Sequence, residues 1–437
     1  MGQIGGPGEK AGGWCGAGEK TGSFFWKDLL KESAMSLSAR PVNSAPVLYE
    51  EAEVPSYTLP DPLVGGDGRR VEDAKDWRTW RRQELLDLFS RHVYGRLPGP
   101  LPFRAVEREA GAALEGLATR EQVRLEFEGE EGRRAALDVL IHRPHGRQTP
   151  APVFLGLNFR GNHATTFDPA VARPESWVVE NVPRGRMVSR WPYEDLIGAG
   201  YAVVTLYAGD AAPDSPEHWR EGVAGLFFPK NTGSPGDEEP GALGWWAWAL
   251  GRVVDYLLTR SEFDPSRIAV VGHSRLGKTA LWAATQDERV ALVVSNNSGC
   301  TGAALSRRCF GERGVHLNAK FPHWCCGNYR RYDLRENDLP IDQHELIALI
   351  APRPVYVASA SEDRWADPKG EFLAARAASS VYRLFGCEGL SGIEMPEAGL
   401  SVGDRVAYHL RPGKHDITRW DWLRYLEFAN RMLGVRP

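Results

Sequence analysis

Six short, unbroken apolar runs constrain this chain more than any other feature. They are PVFLGLNF (152–159), YAVVTLY (201–207), RIAVVG (267–272), VALVVS (290–295), PVYVASA (354–360) and VAYHLR (406–411). A strand wetted on one face alternates apolar with polar residues, whereas a run apolar at nearly every position suits a strand covered on both faces. Helical patterns fall between the runs, at 245–258, 276–286, 371–379 and 419–433. Strand and helix in alternation predict the α/β class, a mostly parallel sheet with helices on both faces. Residues 121–143 read differently. Val123, Leu125 and Phe127, then Leu137, Val139 and Ile141, alternate with polar residues around a turn at Gly129 to Gly132, the pattern of an antiparallel hairpin.

At roughly 150 residues per domain, 437 residues would make about three domains. One continuous alternation argues instead for a single large unit, 46–437, behind a flexible Gly-rich tail at 1–45. Within that tail Met35 offers a second candidate start of translation. Two stretches fit the alternation poorly. Residues 208–244 read as loop, and residues 298–349, rich in Arg, Asn, Trp and Cys, are expected to be an insertion covering a cleft. The 53 basic and 57 acidic residues leave a formal charge of −4, which argues against nucleic acid or an anionic membrane as the main partner. No window approaches the roughly 18 apolar residues of a membrane span, and the N-terminus lacks the basic-then-apolar layout of a secretory signal. Of six cysteines only Cys325 and Cys326 are close-set, which argues against a zinc site. Buried free thiols are expected, with Cys300–Cys309 as the candidate disulfide. The 15 tryptophans suit packing and sugar stacking alike.

The stretch IAVVGHSRLGKTA (268–280) carries the chemistry. A buried strand ends at Gly272, Ser274 follows, and a helix begins at once, which is the setting of a nucleophile elbow. The second glycine, Gly277, stands one place later than in the usual G-x-S-x-G. At a helix N-terminus the serine also has amide donors nearby for a developing oxyanion. A plain serine N-cap would give the same local pattern. The segment satisfies G-x-x-x-x-G-K-[ST] literally as well, but no Walker B-type acidic strand end accompanies it, and an NTPase is set aside.

A hydroxyl nucleophile needs a base, and the base needs an acid to fix its tautomer. His415, in the loop PGKHD after VAYHLR, stands where the base belongs; His409, inside that strand, reads as a packed residue. The acid belongs after an earlier strand. PVYVASA runs into Ser361-Glu362-Asp363-Arg364-Trp365, making Asp363 the first choice, Glu362 the second and Asp367 the third. The chain order Ser, acid, His is that of an α/β-hydrolase three-layer sandwich.

At these residues the sequence resembles the glucuronoyl esterases, a family of carbohydrate esterases. Members carry G-C-S-R-x-G-K at the elbow, where this chain has GHSRLGK (272–278), differing at His273. Similarity to bacterial members extends through RRQELLDLFSRHVYG (81–95), NFRGNH (158–163), SGCTGAALSRRCFGE (298–312), FPHW (321–324), residues 339–372 and YHLRPGKHD (408–416), nearly everything from about residue 50 onward. The resemblance implies a monomer, without metal or cofactor, that cleaves the ester joining glucuronic acid of glucuronoxylan to lignin alcohols. It implies Ser274 as nucleophile, His415 as base and Arg275 as an oxyanion stabiliser through side chain and amide, with Lys278, Glu312 and Trp365 holding the uronic acid. Family members are typically exported.

One position departs from the family pattern. Fungal members place the acid in a Q-E-S-G segment that here reads Asn296-Asn297-Ser298-Gly299, and Asn297 cannot act as an acid. Asp363 matches the later position used by some bacterial members. The plainer readings are Arg275 and Lys278 as solvated helix-face cations, Trp365 as packing, Trp324 as either cleft or core, and Glu312 paired with Arg307 or Arg308. The rival functions are an acetyl xylan or feruloyl esterase and a non-catalytic carbohydrate-binding relative. Arg275 with Lys278 favours a uronate over the first, and an intact Ser274, Asp363 and His415 argue against the second.

Overall fold

The computed structural model describes residues 46–178, 181–228 and 233–435. The predicted tail, with Met35 and Cys15, lies outside the described residues. Ala45–Pro437 form one compact unit.

Its strands are β1 (Phe103–Ala113), β2 (Ala118–Glu128), β3 (Arg134–Pro144), β4 (Ala151–Asn158), β5 (Ala202–Tyr207), β6 (Phe263–His273), β7 (Leu292–Asn296), β8 (Val355–Ala360), β9 (Ser401–Gly403) and β10 (Val406–Arg411). They make one sheet in the order β1-β2-β3-β5-β4-β6-β7-β8-β10-β9. The six apolar runs are β4, β5, β6, β7, β8 and β10, and every pairing among them is parallel. The hairpin pairs Val123 with Val139 and Leu125 with Leu137, as its alternation required.

The α-helices of six residues or more are α1 (Arg82–Phe89), α2 (Tyr193–Gly198), α3 (Ala242–Leu257), α4 (Arg275–Gln286), α5 (Gly314–Lys320), α6 (Gln343–Ala348), α7 (Pro368–Arg383) and α8 (Arg419–Leu433). Pleating sends alternate side chains to opposite faces. Val153, Leu155 and Val270 enter one core with residues of α1, α3, α4, α6 and α7. Phe154, Ala269 and Val271 enter a second core with Tyr193 and Leu196 of α2 and Trp422, Tyr425 and Phe428 of α8. Continuous apolar strands and a three-layer sandwich are thus one fact seen twice.

Two elements depart from the sequence reading. β1, FRAVEREAGAA, is largely exposed and lacks a hydrophobic period; pairing with β2 makes it an edge strand, where charged side chains discourage further pairing. A helical run over Ala74–Asp76, Trp77–Arg81, Arg82–Phe89 and Ser90–Tyr94 buries Trp77, Leu85, Phe89 and Tyr94, and Tyr94 stacks on Trp282 with ring centroids 4.4 Å apart. The candidate disulfide is corrected: Cys300 and Cys309 are free thiols, beside the Tyr329 hydroxyl and the Arg307 carbonyl respectively. Packing takes much of the tryptophan content, since Trp77, Trp219, Trp245, Trp246, Trp282 and Trp422 are fully buried and Trp191, Trp248 and Trp324 nearly so. Among the described residues no helix is long and apolar enough to cross a membrane.

Candidate active site

β6 passes to α4 through Ser274, a non-glycine residue at φ 58°, ψ −131°. Left-handed backbone at such a residue is strained and persists only where its surroundings fix it. The Ser274 N–H donates to the Asn296 carbonyl of β7 at 2.9 Å, and its own carbonyl accepts from Gly277 at 2.8 Å and Lys278 at 3.2 Å. Gly272 admits no side chain, because a Cβ there would lie 1.9 Å from the Leu276 carbonyl oxygen. The late glycine also has a reason. A Cβ on Gly277 would meet the Gly272 oxygen and the Ser298 Cβ at 3.1 Å, so the glycine lets α4 lie close against the end of β7, while Leu276 is buried in the core.

The loops after β8 and β10 deliver the other two groups. His415 Nδ1 lies 2.6 Å from Asp363 Oδ2, and because a carboxylate only accepts, the ring donates there. The other two acid candidates are elsewhere: Glu362 is exposed, and Asp367 caps α7 through Gly370 N–H while pairing with Arg308 at 2.8 Å. The ring of His273 lies 4.6 Å from that of His415. Burial, then the neighbouring positive charges of His415 and Arg190, hold the His273 pKa well below its ordinary value, so this imidazole stays neutral.

Arg275 is a held cation rather than a solvated one. Its guanidinium pairs with Asp214 at 2.8 Å and lies over the rings of Phe159, at 4.7 Å, and Trp324, at 5.6 Å. Asp214 also accepts from His323 Nε2 at 3.0 Å and Trp324 Nε1 at 2.7 Å. Burial opposes its ionisation, but Arg275 and these donors hold its carboxyl well below the usual carboxylate range. Lys278 is buried, and its ammonium reaches the carbonyls of Ser298 and Cys300 and, at 3.3 Å, the Glu312 carboxylate. Glu312 therefore pairs with Lys278, while Arg307 pairs with Asp342 and Arg308 with Asp367 and Glu51. Trp365 is 39% exposed and faces His316 at 5.5 Å, whereas Trp324 is buried and stacks on Phe321 at 3.8 Å.

The sequence reading gave no role in the site to three residues here. Asp214 sits in a stretch that reads as loop. Asn297, dismissed as an acid, donates from Nδ2 to Asp363 Oδ2 at 2.8 Å. Glu371, fully buried in α7, accepts from the Ser298 and Gly299 amides at 2.7 and 2.9 Å and from the Ser359 hydroxyl at 2.6 Å. Burial pushes its carboxyl up to about 8 despite those donors.

The sheet order, the two covering layers and the strained serine turn define an α/β-hydrolase. A family model described as glucuronyl esterase, fungi, matches residues 129–386. A carbohydrate esterase, MZ0003, from an unknown prokaryotic organism is 46% identical over 87% of this chain and 91% of its own. The chain therefore belongs to the glucuronyl esterase family and is a carboxylic-ester hydrolase. The solved glucuronoyl esterase of Solibacter usitatus superposes with a TM-score of 0.83 at 43% identity, covering 88% of this chain and 100% of that one. A 4-O-methyl-glucuronoyl methylesterase of Phanerochaete carnosa is 27% identical over 75% of this chain and 72% of its own.

Proposed function

We propose that the protein is a serine esterase that cleaves esters of (4-O-methyl-)glucuronic acid, those joining glucuronoxylan to lignin alcohols. One observation carries the reading: a strained serine at the carboxyl end of β6 with a His–Asp pair, 2.6 Å apart, on the loops at the carboxyl ends of β8 and β10. Parallel strands put those three ends on one edge of the sheet. Family membership and the name of the Phanerochaete relative favour a uronate as the acyl group.

In this reading His415 takes the proton of Ser274 as Oγ adds to the ester carbonyl. The oxyanion is met by amides at the start of α4 and by the Arg275 guanidinium, whose aim is fixed by Asp214. His415 then protonates the departing alcohol. Water, deprotonated by His415, cleaves the acyl-serine and releases the uronic acid. Asp363 holds the ring tautomer and stabilises the imidazolium. A neutral His273 spares that imidazolium a second positive neighbour. Glu312, anchored by Lys278, and the exposed ring of Trp365 hold the sugar. The reading takes the enzyme as a monomer without metal or cofactor. It takes residues 298–349 as the cover of the cleft, supported by the contacts of Glu312, His323 and Trp324 around Lys278 and Asp214.

Ser274→Ala is expected to abolish hydrolysis of benzyl or methyl glucuronate while leaving the circular dichroism unchanged; undiminished turnover would sink the assignment. Asp363→Asn is expected to slow turnover by up to roughly 10⁴-fold. Should Glu362→Gln do so instead, the acid is misassigned. A panel of uronate esters against acetylated xylan tests the acyl specificity.

A further inference from the structure

The position that departs from the family pattern is not idle. Asn297 and His415 both donate to the same oxygen, Asp363 Oδ2, at 2.8 and 2.6 Å. Asn297 is itself fixed. Its N–H donates to the Ala358 carbonyl of β8 at 2.7 Å, and the next two amides are gathered by Glu371. Its backbone is left-handed at φ 47°, a conformation asparagine tolerates better than most residues. Its Oδ1 is buried and, among the described contacts, has no partner. An amide turned the other way would set oxygen against carboxylate. The Asp363 carboxylate therefore dictates the orientation, although a buried acceptor goes unmet.

We propose that Asn297 is a positioning residue for the acid: its amide is a second donor that pins the same Asp363 oxygen that His415 uses. This rests on the reading of Asp363 as the acid. A carboxylate held by one donor can swing about its side-chain torsions; held by two on one oxygen from separate loops, it keeps its direction toward the imidazole. The amide also gives this buried carboxylate a second hydrogen-bond donor. The asparagine thus converts what is an acid position in fungal relatives into support for an acid two strands along the sheet from the serine.

The test uses three variants of the full chain on methyl glucuronate. Asn297→Gly suits the left-handed backbone and removes only the amide. It is expected to lower kcat by about 10- to 100-fold, the effect of losing one hydrogen bond to a charged group, with KM within about twofold. Introduced into Asp363→Asn, the same change should add less than about a twofold loss, because the group it positions is gone. Asn297→Asp keeps the shape but sets a second carboxylate 2.8 Å from the first. The other ionisable groups facing Asp363 are His415, Glu371 and Tyr49, with Arg364 beside it in sequence. The added negative charge favours protonation of both Asp363 and His415, so the acid limb of the kcat/KM profile should move up by about one pH unit or more. The inference is overturned if Asn297→Gly stays within twofold of the parent across pH, or loses as much in the Asp363→Asn background as alone. Asp363→Asn turning over like the parent would refute the acid assignment, and this inference with it.

Discussion

Two histidine–aspartate pairs of the molecule, His415–Asp363 and His409–Asp421, have their histidines a few residues apart in sequence and differ in kind. His415 and Asp363 meet at 2.6 Å, with the histidine side chain 36% exposed. His409 and Asp421 meet at 3.0 Å, and both side chains are wholly buried. In the second pair every direction is filled. His409 Nδ1 lies 3.1 Å from the Tyr356 hydroxyl, and Asp421 also takes the Arg411 guanidinium and the amide and hydroxyl of Thr418. That carboxylate ties β10 to the start of α8. Distance and chemistry barely separate the pairs; access does. A base must keep one ring nitrogen open to a substrate, and a structural histidine must not.

Replacing each histidine by glutamine breaks that comparison most directly. His415→Gln is expected to cost roughly 10⁴-fold in kcat, as for the loss of a triad member, with an unchanged melting temperature. His409→Gln keeps a donor toward Asp421 and should leave kcat within a few-fold while lowering the melting temperature. Steady-state kinetics beside thermal denaturation of both variants would settle it, and the opposite pattern would reverse the roles assigned to the pairs.

The sequence already separated these histidines, because one falls in an apolar run and the other in a Pro–Gly loop beyond it. The same logic made the elbow and the parallel strands legible: burial on both faces writes itself as unbroken apolar runs. What stayed hidden depends on contacts between distant segments. β1 is exposed, so no hydrophobic period marks it. Asp214 reaches Arg275 from 61 positions away, and Glu371 gathers a turn more than 70 positions upstream. Even Lys278, one helical turn past the serine, looks like a surface cation until the carbonyls of Ser298 and Cys300 close over it.

The next expected effect is on stability alone. Asp421→Ala leaves Arg411 and His409 buried beside a missing carboxylate, and breaking a buried pair by removing one partner costs about 3–5 kcal/mol. Chemical denaturation should show that loss, while the folded fraction retains its turnover.

Smaller again is the change expected from a third carboxylate that sits between the two kinds. Asp214 is largely enclosed, though less so than Asp421, and it holds a side chain assigned to the oxyanion. Asp214→Asn keeps a hydrogen-bond acceptor but removes the charge that fixes Arg275. We expect kcat to fall about 10-fold, near 1.4 kcal/mol, with little change in melting temperature. A stability loss without a kinetic one would move Asp214 to the side of Asp421.

The smallest effect is a slope. Burial, outweighing the donation to Asp421, lowers the His409 pKa below 6.5 in the folded protein. Between the folded and unfolded pKa values the unfolded chain binds more protons, so stability rises with pH there. The contribution of a neutral His409 is therefore present above about pH 6.5 and is lost as pH falls through the folded value. His142 and His273, also lowered by burial, add to the same acid-side loss. His409→Gln should remove only its own share, flattening unfolding free energy against pH below 6.5 by at most about 1.4 kcal/mol per pH unit. An unchanged slope in His409→Gln would mean that burial does not set the protonation of His409, and access would no longer explain why it differs from His415.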